Sequence, residues 1–147
     1  CPACDNGTVA GAEMKKPVTR VIRVLFADDH DVMRQGLIKL IAGQPDIEPA
    51  GEAANGLEAV EQARVLKPDL ILMDVSMPEM DGIEATRCIK GEFPEVRVIG
   101  LSMFEDKQIA KTMMKAGAEA FVSKTASPAE LLKKIYGVVR KERRKAS

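Results

Sequence analysis

Tryptophan is absent from the chain and aromatic residues make up only 3% of it, so Leu, Ile, Val, Met and Ala must fill whatever core forms. Charge of one sign is lacking too. The 22 Lys and Arg balance the 22 Asp and Glu, which argues against bulk attraction to nucleic acid or an anionic lipid surface. No apolar run approaches the roughly 20 residues that span a bilayer, and no basic-then-apolar signal segment opens the sequence. Membrane insertion is not expected, and a cytoplasmic location is. Cysteine is too scarce for a disulfide framework, with only Cys1, Cys4 and Cys88. The C-P-A-C pair of Cys1 and Cys4 has the spacing of half a zinc site. A structural site needs about four Cys or His ligands, yet the single histidine, His30, lies far along the chain. Both cysteines are read as a fragment of an upstream segment or as incidental, and the missing initial Met suggests a piece cut from something longer.

What is present is enough for one domain: 147 residues, 46% of them apolar. Residues 1–20 carry Gly, Pro and mixed charge without periodicity and read as a linker or tail. From Val21 the pattern changes. Val21 to Ala27 is almost continuously apolar, as a strand covered on both faces would be. Met33, Leu37, Leu40 and Ile41 then recur at helical spacing. Ile47 to Ala53 is a weaker strand, and Leu57, Val60, Ala63 and Leu66 mark a helix stopped by Lys67-Pro68. The unit repeats: strand Asp69 to Asp74 with a helix from Gly82 to Glu92, strand Val96 to Ser102 with a helix through Ile109, Met113 and Ala116, and strand Ala120 to Ser123. Ser127-Pro128 with Glu130 reads as an N-cap with Pro at the first helical position. Five βα units with short connections predict an α/β fold, a parallel sheet with right-handed crossovers and helices on both faces.

In such sheets ligands bind beyond the carboxyl ends of the strands. Those ends carry Asp28 and Asp29, then Asp74, then Ser102, with Lys124 just past the last strand. Converging carboxylates repel and raise one another's pKa. A divalent cation relieves this, and hard oxygen ligands suit Mg²⁺ or Mn²⁺. A lysine and a hydroxyl beside such a site fit phosphoryl transfer, which needs mainly positioning and charge neutralisation. A carboxylate can itself be the nucleophile. Taken singly, each residue has a plainer explanation: Asp29 or Asp31 as a helix cap, with Asp31 preferred, Asp74 as a chance strand end, Ser102 as a loop residue, Lys124 as surface charge, His30 as a helix-entry residue. The joint placement of five such residues at strand ends outweighs those explanations.

The stretches VLFADDH, PDLILMDVSMPEMDGIEA, VIGLSM and AGAEAFVSK together resemble the response-regulator receiver domain of two-component signalling, over about Val21 to Arg140. The resemblance implies a flavodoxin-like (βα)5 doubly wound sheet in strand order 2-1-3-4-5. It divides the chain into a linker or tail (1–20), a receiver (21–140) and a basic tail (141–147). It implies Asp74 as phosphoacceptor and Mg²⁺ (or Mn²⁺) held by Asp28, Asp29, Asp74 and the carbonyl of Ser76. Ser102 and Lys124 would engage the phosphoryl group, Phe121 would sit at the aromatic switch position, and Gly82 would be a turn glycine. The implied partner is a sensor histidine kinase, separate or in the same polypeptide. A homodimer is open, and direct DNA binding by this chain is not expected.

Three departures stand out. Thr125 follows Lys124 where family members often have a proline after a cis bond. Met103 follows Ser102 where a smaller residue is common. Phe104 with Ser76 flanks the route of water, which is expected to slow aspartyl-phosphate hydrolysis. The wording ADDHDVMRQGL, GEAANGLEAV and GLSMFED resembles NarL/FixJ-type receivers, which usually precede a DNA-binding domain. The terminal receiver of a hybrid histidine kinase is the preferred setting, ahead of a transcription-factor fragment and a stand-alone receiver. Such a domain assists its own phosphorylation and dephosphorylation. A degenerate receiver serving only protein interaction or dimerisation is the alternative, against which the intact five-residue set speaks.

Overall fold

The computed structural model describes residues 21–103 and 107–146, with side chains described as far as 139. The stretch 1–20, with Cys1 and Cys4, lies outside these residues. Five βα units follow in order: β1 (Ile22–Ala27), α1 (Asp31–Ala42), β2 (Ile47–Ala53), α2 (Gly56–Leu66), β3 (Leu70–Asp74), α3 (Gly82–Glu92), β4 (Arg97–Ser102), α4 (Lys107–Ala116), β5 (Ala120–Ser123) and α5 (Pro128–Ala146). The strands form one parallel sheet in the order β2-β1-β3-β4-β5. The doubly wound architecture and its strand order are as the sequence and its resemblance imply.

Alternation along the strands divides the core in two. Leu25, Ala27, Ile71, Met73 and Val98 face α2, α3 and α4, packing on Ala59, Ala63, Ala85, Ile89 and Met113. Val24, Phe26, Leu70, Leu72, Ile99, Leu101 and Val122 face α1 and α5, packing on Ile41, Leu131, Ile135 and Val138. Both faces are covered, so the central strands read as apolar runs without polar alternation. β2 is the edge strand. It tolerates Pro49, which has no N–H for the ladder, and its register with β1 shifts between Val24 and Leu25.

Local signals set the helix ends. Asn55 caps α2 by accepting from the Glu58 N–H, and Asp81 caps α3 by accepting from the Glu84 N–H. Ser127 Oγ accepts from the Glu130 N–H at 3.2 Å at the start of α5. α2 stops at Lys67, in the left-handed region, before Pro68. One expected cap is overturned. His30, in extended conformation, is the N-cap of α1, while Asp31 lies inside the first turn and pairs with Arg34 at 2.6 Å.

The two ends of the sheet are built differently. At the end where the strands begin, Glu119 accepts from Lys90 Nζ (3.1 Å), Arg97 Nη1 (3.1 Å) and the Val98 N–H (3.0 Å). Lys90 also donates to the carbonyls of Pro94 and Val96. The other end carries the acidic residues.

Candidate functional site

β1 and β3 are neighbours, yet the chain leaves them in opposite directions, to β2 on one side and β4 on the other. A crevice opens there, beyond the strands' carboxyl ends. Asp28 follows β1, and its backbone is held by its N–H to the Ala53 carbonyl at 3.0 Å. Its Oδ1 accepts from the His30 N–H at 2.8 Å. Asp74 ends β3, and its Oδ1 accepts from the Ser76 N–H at 3.3 Å. Both carboxylates are almost completely buried, Asp28 at 1% and Asp74 at 3% exposure.

Lys124 joins them. Its Nζ lies 2.9 Å from Asp28 Oδ2 and 3.1 Å from Asp74 Oδ2, with only 1% of the side chain exposed. Its backbone is fixed from β4, the Lys124 N–H donating to the Ser102 carbonyl at 2.8 Å. Thr125 N–H and hydroxyl both meet Ser123 Oγ, at 3.1 and 2.7 Å. No peptide bond is cis among the described residues, so Lys124–Thr125 is trans, unlike the family pattern with proline.

Asp29 is more exposed, with Oδ1 3.2 Å from His30 Nδ1, and that nitrogen is equally close to Asp28 Oδ1. One donor atom from each of Asp28, Asp29, His30 and Asp74 lies within 4.8 Å of the others. His30, expected only as a helix-entry residue, is therefore also part of the cluster. Three carboxylates against one ammonium leave two negative charges, which is the charge of one divalent cation. With the oxygen-rich donor set, that balance fits Mg²⁺ or Mn²⁺. Burial pushes the Asp74 carboxyl up to about 6, with Lys124 opposing the rise and Asp28 adding to it.

The remaining expected residues belong to β4, β5 and the loops that follow β3 and β4. Ser102 is buried at the end of β4, paired in register with Ser123. Ser76 is exposed in the loop after β3. Phe121, on β5, is partly buried against the core that contains Met113. It fits there because Gly100 has no side chain, since a Cβ on Gly100 would lie 3.0 Å from Phe121 Cδ1 and 2.8 Å from Met113 Cγ. Met103 is largely exposed. Phe104, and with it the expected shielding from water, lies outside the described residues.

Gly82 is not a turn glycine but the first residue of α3. Its N–H bonds the Val75 carbonyl at 2.8 Å, and a Cβ there would run into the carbonyl oxygen of Asp74. Close approach of α3 to the Asp74 backbone requires glycine. Arg34 is a side chain at this corner to which the sequence reading gives no role. It sits in the quoted DDHDVMR stretch, and its guanidinium bonds the Asp28 carbonyl at 2.6 Å. The signal was a long, forked cation one turn into the helix after the acidic pair.

Fold and rim together make an α/β module with an acidic crevice at the carboxyl end of its parallel sheet, and the family follows from comparison. The response regulator receiver domain model matches residues 24–136, and the chain belongs to that family, the receivers of two-component systems. The chain is 46% identical over 112 residues to the uncharacterized transcriptional regulatory protein YhcZ of Bacillus subtilis, covering 76% of this chain and 52% of that protein. It is 45% identical over 111 residues to the response regulator protein VraR of Staphylococcus aureus, covering 75% of this chain and 53% of that one. The chain thus spans about half the length of these curated relatives. Among solved structures, the response regulator domain of Thermotoga maritima CheB superimposes with a TM-score of 0.76 at 42% identity, covering 80% of this chain and 96% of that one. No helix among the described residues is long and apolar enough to cross a membrane.

Proposed function

We propose that Asp74 accepts a phosphoryl group from the phosphohistidine of a sensor histidine kinase. The observation that carries this reading is the buried Lys124 ammonium bridging Asp28 Oδ2 and Asp74 Oδ2 at the sheet's crevice. Asp28, Asp29 and Asp74, with the Ser76 carbonyl, would hold Mg²⁺ or Mn²⁺, which when bound neutralises charge on the transferring phosphoryl oxygens. The Asp74 carboxylate attacks phosphorus, the P–N bond to the kinase imidazole breaks, and the imidazole leaves, taking up a proton. Lys124 then trades its contact with Asp74 for a phosphoryl oxygen, and the Ser102 hydroxyl donates to another. The new charge of about −1.5 to −2 biases a two-state arrangement of Ser102 and Phe121. The two curated relatives are regulators, one of them transcriptional by name, which supports an output in gene expression through the half of those proteins that this chain does not match.

Incubation with acetyl phosphate and Mg²⁺, followed by intact-mass measurement, tests the reading. Wild type gains one phosphoryl mass that hydroxylamine removes, and Asp74→Asn gains none. An unmodified wild type, or equal labelling of Asp74→Asn, would refute it.

A further inference from the structure

The guanidinium of Arg34 is spent entirely on one corner of the site. Nη1 donates to the Asp28 carbonyl at 2.6 Å, Nη2 to Asp31 Oδ1 at 2.6 Å and Nε to Glu52 Oε1 at 2.7 Å. The side chain is only 12% exposed, and Gln35 Nε2 bonds the same Glu52 oxygen at 3.0 Å. The carbonyl of Asp28 and the N–H of Asp29 belong to one peptide plane. With the Asp28 N–H already fixed on Ala53, the bond from Arg34 sets the rotation of that plane. The rotation in turn sets the direction in which the Asp29 side chain leaves the backbone.

We infer that Arg34 is a positioning residue for the acidic pair, holding the Asp28–Asp29 peptide so that both carboxylates face one divalent cation. This rests on the proposed reading of the site as a metal-assisted phosphoacceptor. Arginine is needed because its rigid fork reaches in three directions at once, whereas a lysine ammonium on the same stem is a single point charge. Positioning and charge make opposite predictions here. Arg34 lies near the metal ligands, and two carboxylates, Asp31 and Glu52, accompany its one positive charge. Removing it makes the corner more negative, so electrostatics alone would tighten cation binding. Loss of positioning would weaken it.

The test is calorimetric titration of Mg²⁺, and separately Mn²⁺, into the full chain without a phosphoryl donor at fixed ionic strength. Loss of a group that orients metal ligands costs about 10–100-fold in affinity. Arg34→Ala is expected to raise the Mg²⁺ dissociation constant about tenfold. Arg34→Lys is expected to raise it as well, although it keeps the charge and serves as the readout if the alanine variant folds poorly. Arg64→Ala, which removes the exposed pair with Glu92, should leave it unchanged. A merely structural Arg34 would lower the melting temperature in EDTA without altering the affinity of the folded chain. Unchanged or tighter binding in both Arg34 variants overturns the inference and leaves the metal reading intact. A wild type that binds neither ion overturns both.

Discussion

At the scale of single residues, the site is a compromise among buried charges. Asp74 is ionisable, almost fully enclosed and close to Asp28, and Lys124, with a smaller share from the Ser76 N–H, offsets the cost of its charge. Its carboxyl titrates at about 6 in the fold against an ordinary 3.8. Between those values the folded chain keeps a proton that the unfolded chain has released. Stability contributed at low pH is therefore lost as pH rises from about 4 to about 6. In metal-free buffer, Asp74→Asn should be more stable than wild type at pH 7 by on the order of 1–2 kcal/mol. That gain should vanish near pH 4, as thermal melts in EDTA across this range would show. The five rim residues were legible in sequence because each falls at or just past the end of an apolar strand, where backbone direction alone brings them together. Arg34, His30 and Asp31 were not. Their roles depend on how far side chains reach across the first turn of α1, where an aspartate can either cap the helix or pair with a basic residue three positions on.

Helices and strands tell a similar story about what periodicity records. The inner strands and α3 were readable nearly to the residue, since both faces of the sheet's centre are covered and the apolar runs there are almost continuous. α2 was read less well. Leu57 falls on the apolar spacing that marks this helix, yet it is exposed, and the buried positions are Gly56, Ala59 and Ala63. Small residues win that face because α2 packs closely: a Cβ on Gly56 would collide with Met80. Hydrophobicity patterns weight a leucine above an alanine and so miss close approach. The same geometry governs α3, which rests on the Asp74 carbonyl through Gly82. Gly82→Ala forces the first turn of α3 and the end of β3 apart, an overpacking defect of about 2 kcal/mol. The expected outcome is a lower melting temperature together with slower acetyl-phosphate labelling of Asp74. A change in melting temperature alone would separate the contact from the site.

Over the whole molecule, contacts distant in sequence close the fold. Tyr136 on α5 donates its hydroxyl to Asp46 Oδ1 at 2.7 Å, across 90 positions of chain. Burial and that carboxylate push the phenol up to about 12. Its contribution is fully present below about pH 10 and is lost as pH rises through the raised value. Tyr136→Phe should cost about 1 kcal/mol at neutral pH. Denaturant titration would detect this as a lower midpoint with an unaltered slope, and phosphoryl uptake should be unaffected. No local pattern announces such a latch, because neither residue lies in the other's element.

Glu119 and its three donors lie at the opposite edge of the sheet from the aspartates. Anchorage and reactivity therefore occupy separate real estate. An engineer could recast the acidic mouth to favour another ion or a neutral nucleophile while the far edge continues to clamp β4 and β5 in place.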